Sequence, residues 1–138
     1  MDSAILQPLV ALVAWTFLVM ALIPLRRFRA AHRGEVGAGD FRYGESDRVP
    51  AQVSLPNRNY MNLLELPVLF YIGCLTALVA EIVDAQLVSL AWAFVAARVV
   101  HSLVHILWNR VLARFAVFAI GAAILMVFWG VIVARLPA

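Results

Sequence analysis

Four long apolar runs account for most of the chain, and polar stretches separate them. The runs cover about residues 5–25, 59–80, 86–108 and 114–134. A transmembrane helix needs about 20 consecutive, mainly apolar residues to cross the hydrocarbon core of a bilayer. The pattern therefore predicts an all-α protein, an integral membrane four-helix bundle, with one long loop over about residues 28–57.

The connections between the runs differ in length and composition. The long one contains four glycines together with Pro50 and Pro56, which argues against a continuous helix there. It either covers a site at the mouth of the bundle or merely spans two helix ends. The other two connections are short, so consecutive helices are predicted to be antiparallel neighbours. Pro67 lies inside the second run and is predicted to kink that helix near Leu63, because proline removes a backbone hydrogen bond.

The composition agrees with a membrane protein. Of the 138 residues, 64% are hydrophobic and 14% are charged, whereas a soluble domain is usually nearer half apolar. The four runs leave no room for a separate soluble domain, so residues 1–138 are expected to form a single transmembrane domain. The first residues, Met1-Asp2-Ser3, lack the basic group that precedes a cleavable signal peptide, so the first run is expected to remain as a helix.

The charges predict an orientation in the membrane. All eleven basic residues are arginine, and most of them gather on one side of the predicted bundle: Arg26, Arg27, Arg29, Arg33, Arg42, Arg48, Arg58, Arg110 and Arg114. The other side carries Asp2, Glu81, Asp84 and Arg135. Because cytoplasmic loops are enriched in arginine, the arginine-rich side is predicted to face the cytoplasm, with both termini outside. The excess of positive charge, +3 in total, reflects this topology and is not interpreted as nucleic-acid binding.

Two sets of polar residues recur at helical spacing within the apolar runs: Arg58, Asn62 and Glu65 in the second, and Arg98, His101 and His105 in the third. Each set lies on a single helical stripe. A charged group at membrane depth costs about 2.5–3.5 kcal/mol on insertion, so such residues normally face a bundle interior or a wet cavity. The stripes predict a polar site between the second and third helices.

Simpler interpretations of the same residues remain open at this point. Arg98 and Glu65 could form a buried ion pair that only fixes helix packing, with Asn62 and His101 as hydrogen-bond partners. His105 could be an ordinary interfacial histidine. A metal site at His101 and His105 is not expected, because the chain has no H-E-x-x-H pattern and Glu65 is the only carboxylate near them.

Three segments together resemble a known family. Arg58, Asn62 and Glu65 match the pattern R-x3-N-x2-E, and a proline follows closely. The segment from Arg98 to His105 is similar to R-x2-[HY]-x3-Y, and Arg114 follows nine residues later. In this order and at these spacings the segments resemble the MAPEG family, the membrane-associated proteins in eicosanoid and glutathione metabolism. The match extends over essentially the whole chain and looks like a bacterial subgroup, which implies a bacterial inner membrane.

The resemblance implies a homotrimer with one glutathione site at each subunit interface, open toward the cytoplasm. One subunit is implied to contribute Arg58, Asn62 and Glu65, and its neighbour Arg98, His101, His105 and Arg114. Arg26 or Arg27 is implied to add to the side that binds the glutathione carboxylates. Arg114 matches the arginine that stabilises the glutathione thiolate, and His105 is a candidate proton acceptor.

The resemblance implies a membrane-bound glutathione transferase or peroxidase that activates a thiol for attack on a lipophilic electrophile or hydroperoxide. Two departures favour an alternative, a non-catalytic protein on the same fold that binds lipid or a partner. His105 stands where glutathione-using members usually have tyrosine, and Phe115 and Phe118 replace polar or tyrosyl residues. A third interpretation is an accessory subunit of a larger membrane complex.

Overall fold

The computed structural model describes residues 3–136, and helices account for nearly all of its regular structure. The long helices are α1 (Leu6–His32), α2 (Ala51–Leu63), α3 (Leu66–Val79), α4 (Ala85–Leu103) and α5 (Val111–Arg135). A short 3₁₀ turn precedes α1, and a π-helical turn, Val104–Trp108, continues α4. Helices α2 and α3 together form one span, so the described chain has four spans long and apolar enough to cross a membrane. The predicted all-helical, four-span architecture is confirmed.

The long connection is shorter than the sequence pattern predicts. Helix α1 continues to His32, and α2 begins at Ala51. Pro56 lies inside α2 and cannot donate a hydrogen bond to the carbonyl of Gln52, four residues earlier. Arg26 Nη1 donates to that carbonyl at 2.7 Å. The helix therefore tolerates its proline, because a neighbouring arginine replaces the missing donor.

The remaining connection, residues 33–50, is folded against α1. The Asp40 carboxylate accepts hydrogen bonds from the Gly37 amide at 2.8 Å and from the Ser46 hydroxyl at 2.7 Å. These two bonds hold the pKa of the Asp40 carboxyl below its ordinary value. Arg27 forms a 3.0 Å ion pair with Glu45, and its guanidinium carbon lies 4.4 Å from the centre of the Phe41 ring. These contacts join both halves of the connection to α1.

The second span is interrupted at its proline, as predicted. Helix α2 ends at Leu63, α3 begins at Leu66, and Pro67 lies in the first turn of α3. Proline fits the first turn of a helix because its missing N–H has no intrahelical acceptor there. The break separates Glu65, which is exposed, from the end of α2.

Aromatic side chains from three helices form the centre of the apolar core. The ring of Phe70 on α3 lies 4.8 Å from that of Phe94 on α4 and 5.9 Å from that of Phe128 on α5. Gly73 allows α5 to approach α3 here, since a Cβ atom at this position would lie only 2.7 Å from the Phe128 ring. The indole of Trp129 donates to the Leu69 carbonyl at 3.1 Å. Close packing and this hydrogen bond together fix α5 against α3.

A polar contact joins α4 and α5 at the end of the bundle opposite Arg26 and Arg114. The Asp84 side chain caps α4 by accepting a hydrogen bond from the Leu87 amide at 2.9 Å. It also pairs with Arg135 at 2.7 Å, and Arg135 donates to Gln86. The bond from Arg135, followed by that from Leu87, lowers the pKa of Asp84 from its ordinary value of 3.8. The end of α5 is thus tied to the start of α4.

We expect Gly73→Ala to destabilise the bundle by about 1–3 kcal/mol, the usual result of overpacking a filled core. Thermal unfolding in detergent measures this change. Gly130→Ala is the matched control on α5, because no atom lies within 4 Å of the added methyl group. That control should be neutral or up to about 1 kcal/mol stabilising through helix propensity. Equal destabilisation by both substitutions would contradict the proposed α3–α5 packing.

We expect Asp84→Asn to lower the unfolding midpoint at neutral pH less than Asp84→Ala, since asparagine keeps the cap and loses only the ion pair. The pKa of Asp84 is lowered in the folded state, so its ion-pair stabilisation is fully present above pH 3.8. This stabilisation disappears as the pH falls through the lowered pKa, and the wild-type and Asp84→Asn midpoints should then converge. A constant difference from neutral to acidic pH would contradict the ion pair.

Candidate functional site

A fully buried arginine stands at the centre of the polar site. Arg98 on α4 has no exposed surface, and its Nη2 donates to the side-chain oxygen of Asn62 at 2.8 Å and to the Asn62 carbonyl at 3.2 Å. Asn62 lies in the last turn of α2, where the carbonyl groups have no further helical donors. A cation at a helix C-terminus also interacts favourably with the helix dipole. Arg98 therefore caps the broken end of α2.

The ion pair between Arg98 and Glu65, one of the interpretations of the two stripes, does not form within the described chain, although the Glu65 charge acts on the Arg98 guanidinium. Among residues 3–136, Glu65 takes part in no ion pair and is exposed on the surface of the single chain. The cause is the helix break, because Glu65 precedes α3 and no longer shares the stripe that α2 presents to α4. Asn62 takes the place of the carboxylate as the partner of Arg98.

Two buried histidines follow Arg98 along the same span. His101 is 2% and His105 is 5% exposed, and their rings meet edge to face with centroids 5.8 Å apart. His105 lies in the π-helical turn that continues α4. Such turns are rare and often occur at functional sites. The predicted stripe of Arg98, His101 and His105 is therefore present as one buried row.

Phe118 of α5 packs over this row. Its ring centroid lies 6.0 Å from that of His101 and 5.6 Å from the guanidinium carbon of Arg98. A cation over an aromatic face is an attractive arrangement, particularly where water is excluded. The phenylalanine that departs from the family pattern thus closes the cluster on the α5 side.

Two further buried polar residues belong to the same region of the fold and were missed from the sequence. Asn59 on α2 and Ser102 on α4 are both fully buried. Asn59 lies three residues before Asn62, and Ser102 lies four residues after Arg98, so helical spacing could have identified both.

Several buried polar atoms of this region have no hydrogen-bond partner within the described chain. They are Nε and Nη1 of Arg98, Nδ1 of His101, Oγ of Ser102, both ring nitrogens of His105 and both amide atoms of Asn59. Buried polar groups are nearly always paired with protein, ligand or ordered water. The partners of these donors and acceptors must therefore come from outside the described chain: water, a ligand or a neighbouring subunit.

Two arginines flank His105 toward the end of the bundle. The charges of Arg114 and Arg58 both act on its imidazole. Arg114, in the first turn of α5, donates to the side-chain oxygen of Asn109 at 2.9 Å. Asn109 adopts a left-handed conformation with φ of 46° in the turn between the π-helical segment and α5. Neither Arg58 nor Arg114 pairs with a carboxylate among residues 3–136.

A polar cleft opens beside these arginines. It has a volume of about 260 Å³ and lies between the folded connection, α2 and the turn before α5. Arg58 and Asn109 contribute to its walls, together with Glu45, Ser46 and Asp47. The connection therefore forms one wall of this cleft.

The structure gives Arg26 and Arg27 other partners. Arg26 bonds to the Gln52 carbonyl and Arg27 pairs with Glu45, so both hold the connection and α2 to α1. The resemblance implies that Arg98 and Asn62 come from different subunits, yet they bond within one chain. Within the described residues, no group of three or more His, Cys, Asp or Glu side chains is arranged to hold a metal ion.

Comparison with known proteins adds one match. The model of the MAPEG family matches residues 5–134, which is nearly the whole chain. No curated protein and no solved structure matches the chain.

We expect Asn62→Ala to lower the free energy of unfolding by about 1–3 kcal/mol, because a buried guanidinium loses an acceptor. Thermal or denaturant unfolding in detergent measures the loss. Asn57→Ala, five residues earlier on α2, is the matched control and should change stability little, because Asn57 does not bond to Arg98. If Glu65 were the partner of Arg98 instead, Glu65→Gln would be the more damaging substitution of the two.

Proposed function

The chain belongs to the MAPEG family, multi-pass membrane proteins of glutathione and eicosanoid metabolism, and we propose that it is a membrane-bound glutathione transferase-like enzyme. In this proposal it activates the glutathione thiol for attack on a lipophilic electrophile or hydroperoxide. The observation that carries the proposal is the position of Arg58 and Arg114. One lines the cleft beside Asn109 and the other bonds to Asn109, and neither has a carboxylate partner in the described chain.

Glutathione suits this arrangement because it brings two carboxylates and a thiol on one flexible peptide. Guanidinium groups bind carboxylates through two parallel hydrogen bonds, so Arg58 is proposed to hold one of them. Buried donors and acceptors on Asn59, Arg98 and His101 supply further contacts for the peptide groups. The cleft between α2 and the connection provides its entrance from the aqueous side.

The thiol is proposed to react next to Arg114. A guanidinium charge and the positive end of the α5 dipole both favour a thiolate over a thiol. The hydrogen bond to Asn109 holds the Arg114 side chain at this end of the helix. His105 accepts the thiol proton, the sulfur then bonds to the electrophilic carbon, and the leaving group departs with its electron pair.

The lipophilic substrate is proposed to arrive from the membrane. Leu112 and Phe115 lie on either side of Arg114 in α5 and are 84% and 68% exposed on the single chain. Apolar side chains next to the charged group would let a membrane-dissolved electrophile approach a thiol bound from the aqueous side. This supports a reaction at the boundary between lipid and water.

The exposure of Glu65 supports the homotrimer that the resemblance implies. Its carboxylate lies within the second membrane span, at the break between α2 and α3, and is exposed on the single chain. A charge facing lipid at depth costs about 2.5–3.5 kcal/mol. Contact with a neighbouring subunit would remove this charge from lipid. The proposed orientation places the arginine-rich end in the cytoplasm and both termini outside a bacterial inner membrane.

A second proposal is a binding protein without turnover. Phe118 lies against both Arg98 and His101 and closes the buried row on one side. A closed polar row fits a structural network better than an open catalytic site. On this alternative the protein binds a lipid or a partner chain, and the arginines at the mouth bind an anionic group without activating it.

We expect saturable thermal stabilisation of the purified protein by millimolar glutathione, together with conjugation of a generic aromatic electrophile. Arg114→Ala should lower kcat/KM by about 10²-fold, the usual effect of removing a preorganised electrostatic donor. Arg110→Ala is the matched control. Arg110 is a nearby exposed arginine, and its side chain does not bond to Asn109 in the described chain.

The outcomes separate the two proposals. Binding without conjugation, or equal activity in wild-type protein and Arg114→Ala, would favour the binding protein. Absence of stabilisation by glutathione would contradict the glutathione-using enzyme and would also favour a protein that binds a lipid or a partner chain.

A further inference from the structure

The last two turns of α1 extend beyond the apolar part of the bundle. The helix has 27 residues, which at 1.5 Å each gives a length of about 40 Å. The hydrocarbon core of a bilayer is about 30 Å thick. Because the sequence becomes arginine-rich from Arg26 onward, the excess length lies at this end and reaches the lipid headgroups.

On one face of this extension the side chains change from apolar to basic along the helix. Five residues at positions i, i+3, i+4, i+7 and i+8 line a shallow groove of about 450 Å³ and are named here the α1 stripe: Leu25, Phe28, Arg29, His32 and Arg33. The two apolar members lie nearer the membrane, and the three basic members lie farther out. Phe28 is 74% exposed and Leu25 is 54% exposed.

The basic members of the α1 stripe are not used by the fold. Arg26 and Arg27 precede them on the same helix, and both are engaged with α2 or the connection. Arg29 and His32, in contrast, form no ion pair or side-chain hydrogen bond among the described residues. Arg33 approaches Glu35 only at 4.0 Å, on an exposed surface where such a pair contributes little. The basic side chains of the α1 stripe are therefore free to contact a ligand outside the described chain.

A second apolar hollow lies on the other flank of Phe28. It has a volume of about 550 Å³ and is formed between α1 and the folded connection, with Pro24, Ala31, Val36 and Phe41 in its walls. Phe28 lines both this hollow and the groove of the α1 stripe. Apolar surface thus lies on both sides of one ring, directly beside the basic members of the α1 stripe.

We propose that the α1 stripe binds one acidic phospholipid of the surrounding leaflet. Its phosphate lies between Arg29 and Arg33, and its acyl chains pass on either side of Phe28 toward the membrane interior. The order of the residues supports this ligand, because the apolar members face the acyl region and the basic members face the headgroup. An uncompensated negative headgroup matches the unpaired positive charge, whereas choline would neutralise the phosphate of a zwitterionic lipid.

The test uses the full chain in detergent, with thermal unfolding followed during titration. The probes are short-chain phosphatidylglycerol, short-chain phosphatidylcholine and glycerol phosphate. The double variant Arg29→Gln/Arg33→Gln removes the phosphate contacts. Its matched control, Arg42→Gln/Arg48→Gln, removes the same charge from exposed positions in the connection. Phe28→Ser removes the acyl contact without changing the charge.

We expect phosphatidylglycerol to stabilise the wild-type protein saturably and at lower concentration than phosphatidylcholine. The apparent affinity for phosphatidylglycerol should fall about 30-fold in Arg29→Gln/Arg33→Gln, given the usual contribution of each basic residue at a membrane surface. The control pair should behave as wild type, and Phe28→Ser should also weaken binding.

Three results would overturn the proposal. Equal losses in the two arginine pairs would indicate general charge attraction. Equal stabilisation by glycerol phosphate would identify a soluble anion as the ligand. An unchanged response in Phe28→Ser would remove the acyl chains from the contact. Since the readout needs no glutathione, it is independent of the proposed thiol chemistry.

Discussion

Backbone carbonyls inside a membrane need hydrogen-bond donors, because hydrocarbon offers none. Pro56 removes a donor inside α2, and the break before α3 leaves the last carbonyls of α2 without helical donors. An arginine side chain supplies a donor in each case. Arg26 of α1 donates to the Gln52 carbonyl before Pro56, and Arg98 of α4 donates to the Asn62 carbonyl where α2 ends before Pro67. The interrupted span is thus held by its neighbours on two sides.

The contacts of Arg98 explain why this arginine is stable in the centre of the protein without an ion pair. The guanidinium of Arg98 bonds to a carbonyl and an amide oxygen at a helix C-terminus and lies against the Phe118 ring. Partial negative charge of the helix end and the aromatic face therefore take the place of a carboxylate. Within the described chain Arg98 forms no ion pair, and Glu65 acts on its guanidinium only from beyond ion-pair distance.

Two groups of arginines in this chain have different physical roles. Arg26, Arg27 and Arg135 join helices or the connection through specific partners. Arg58 and Arg114 have no carboxylate partner in the described chain. They lie close together, because Arg58 lines the cleft beside Asn109 and Arg114 bonds to Asn109. Like charges held close together repel, so bound negative charge would relieve this repulsion.

Local sequence was sufficient for the features that depend on a continuous helix or a single residue. The apolar runs determined four spans, Pro67 determined the break, and regular spacing placed Arg98, His101 and His105 in one row. Tertiary structure decided the partners across helices. Because of the break, Glu65 is exposed and Asn62 is the partner of Arg98. The connection and α2 provide the partners of Arg26 and Arg27. Helical periodicity predicts a shared face only while the helix is unbroken, and it carries no information about which distant group will be packed against that face.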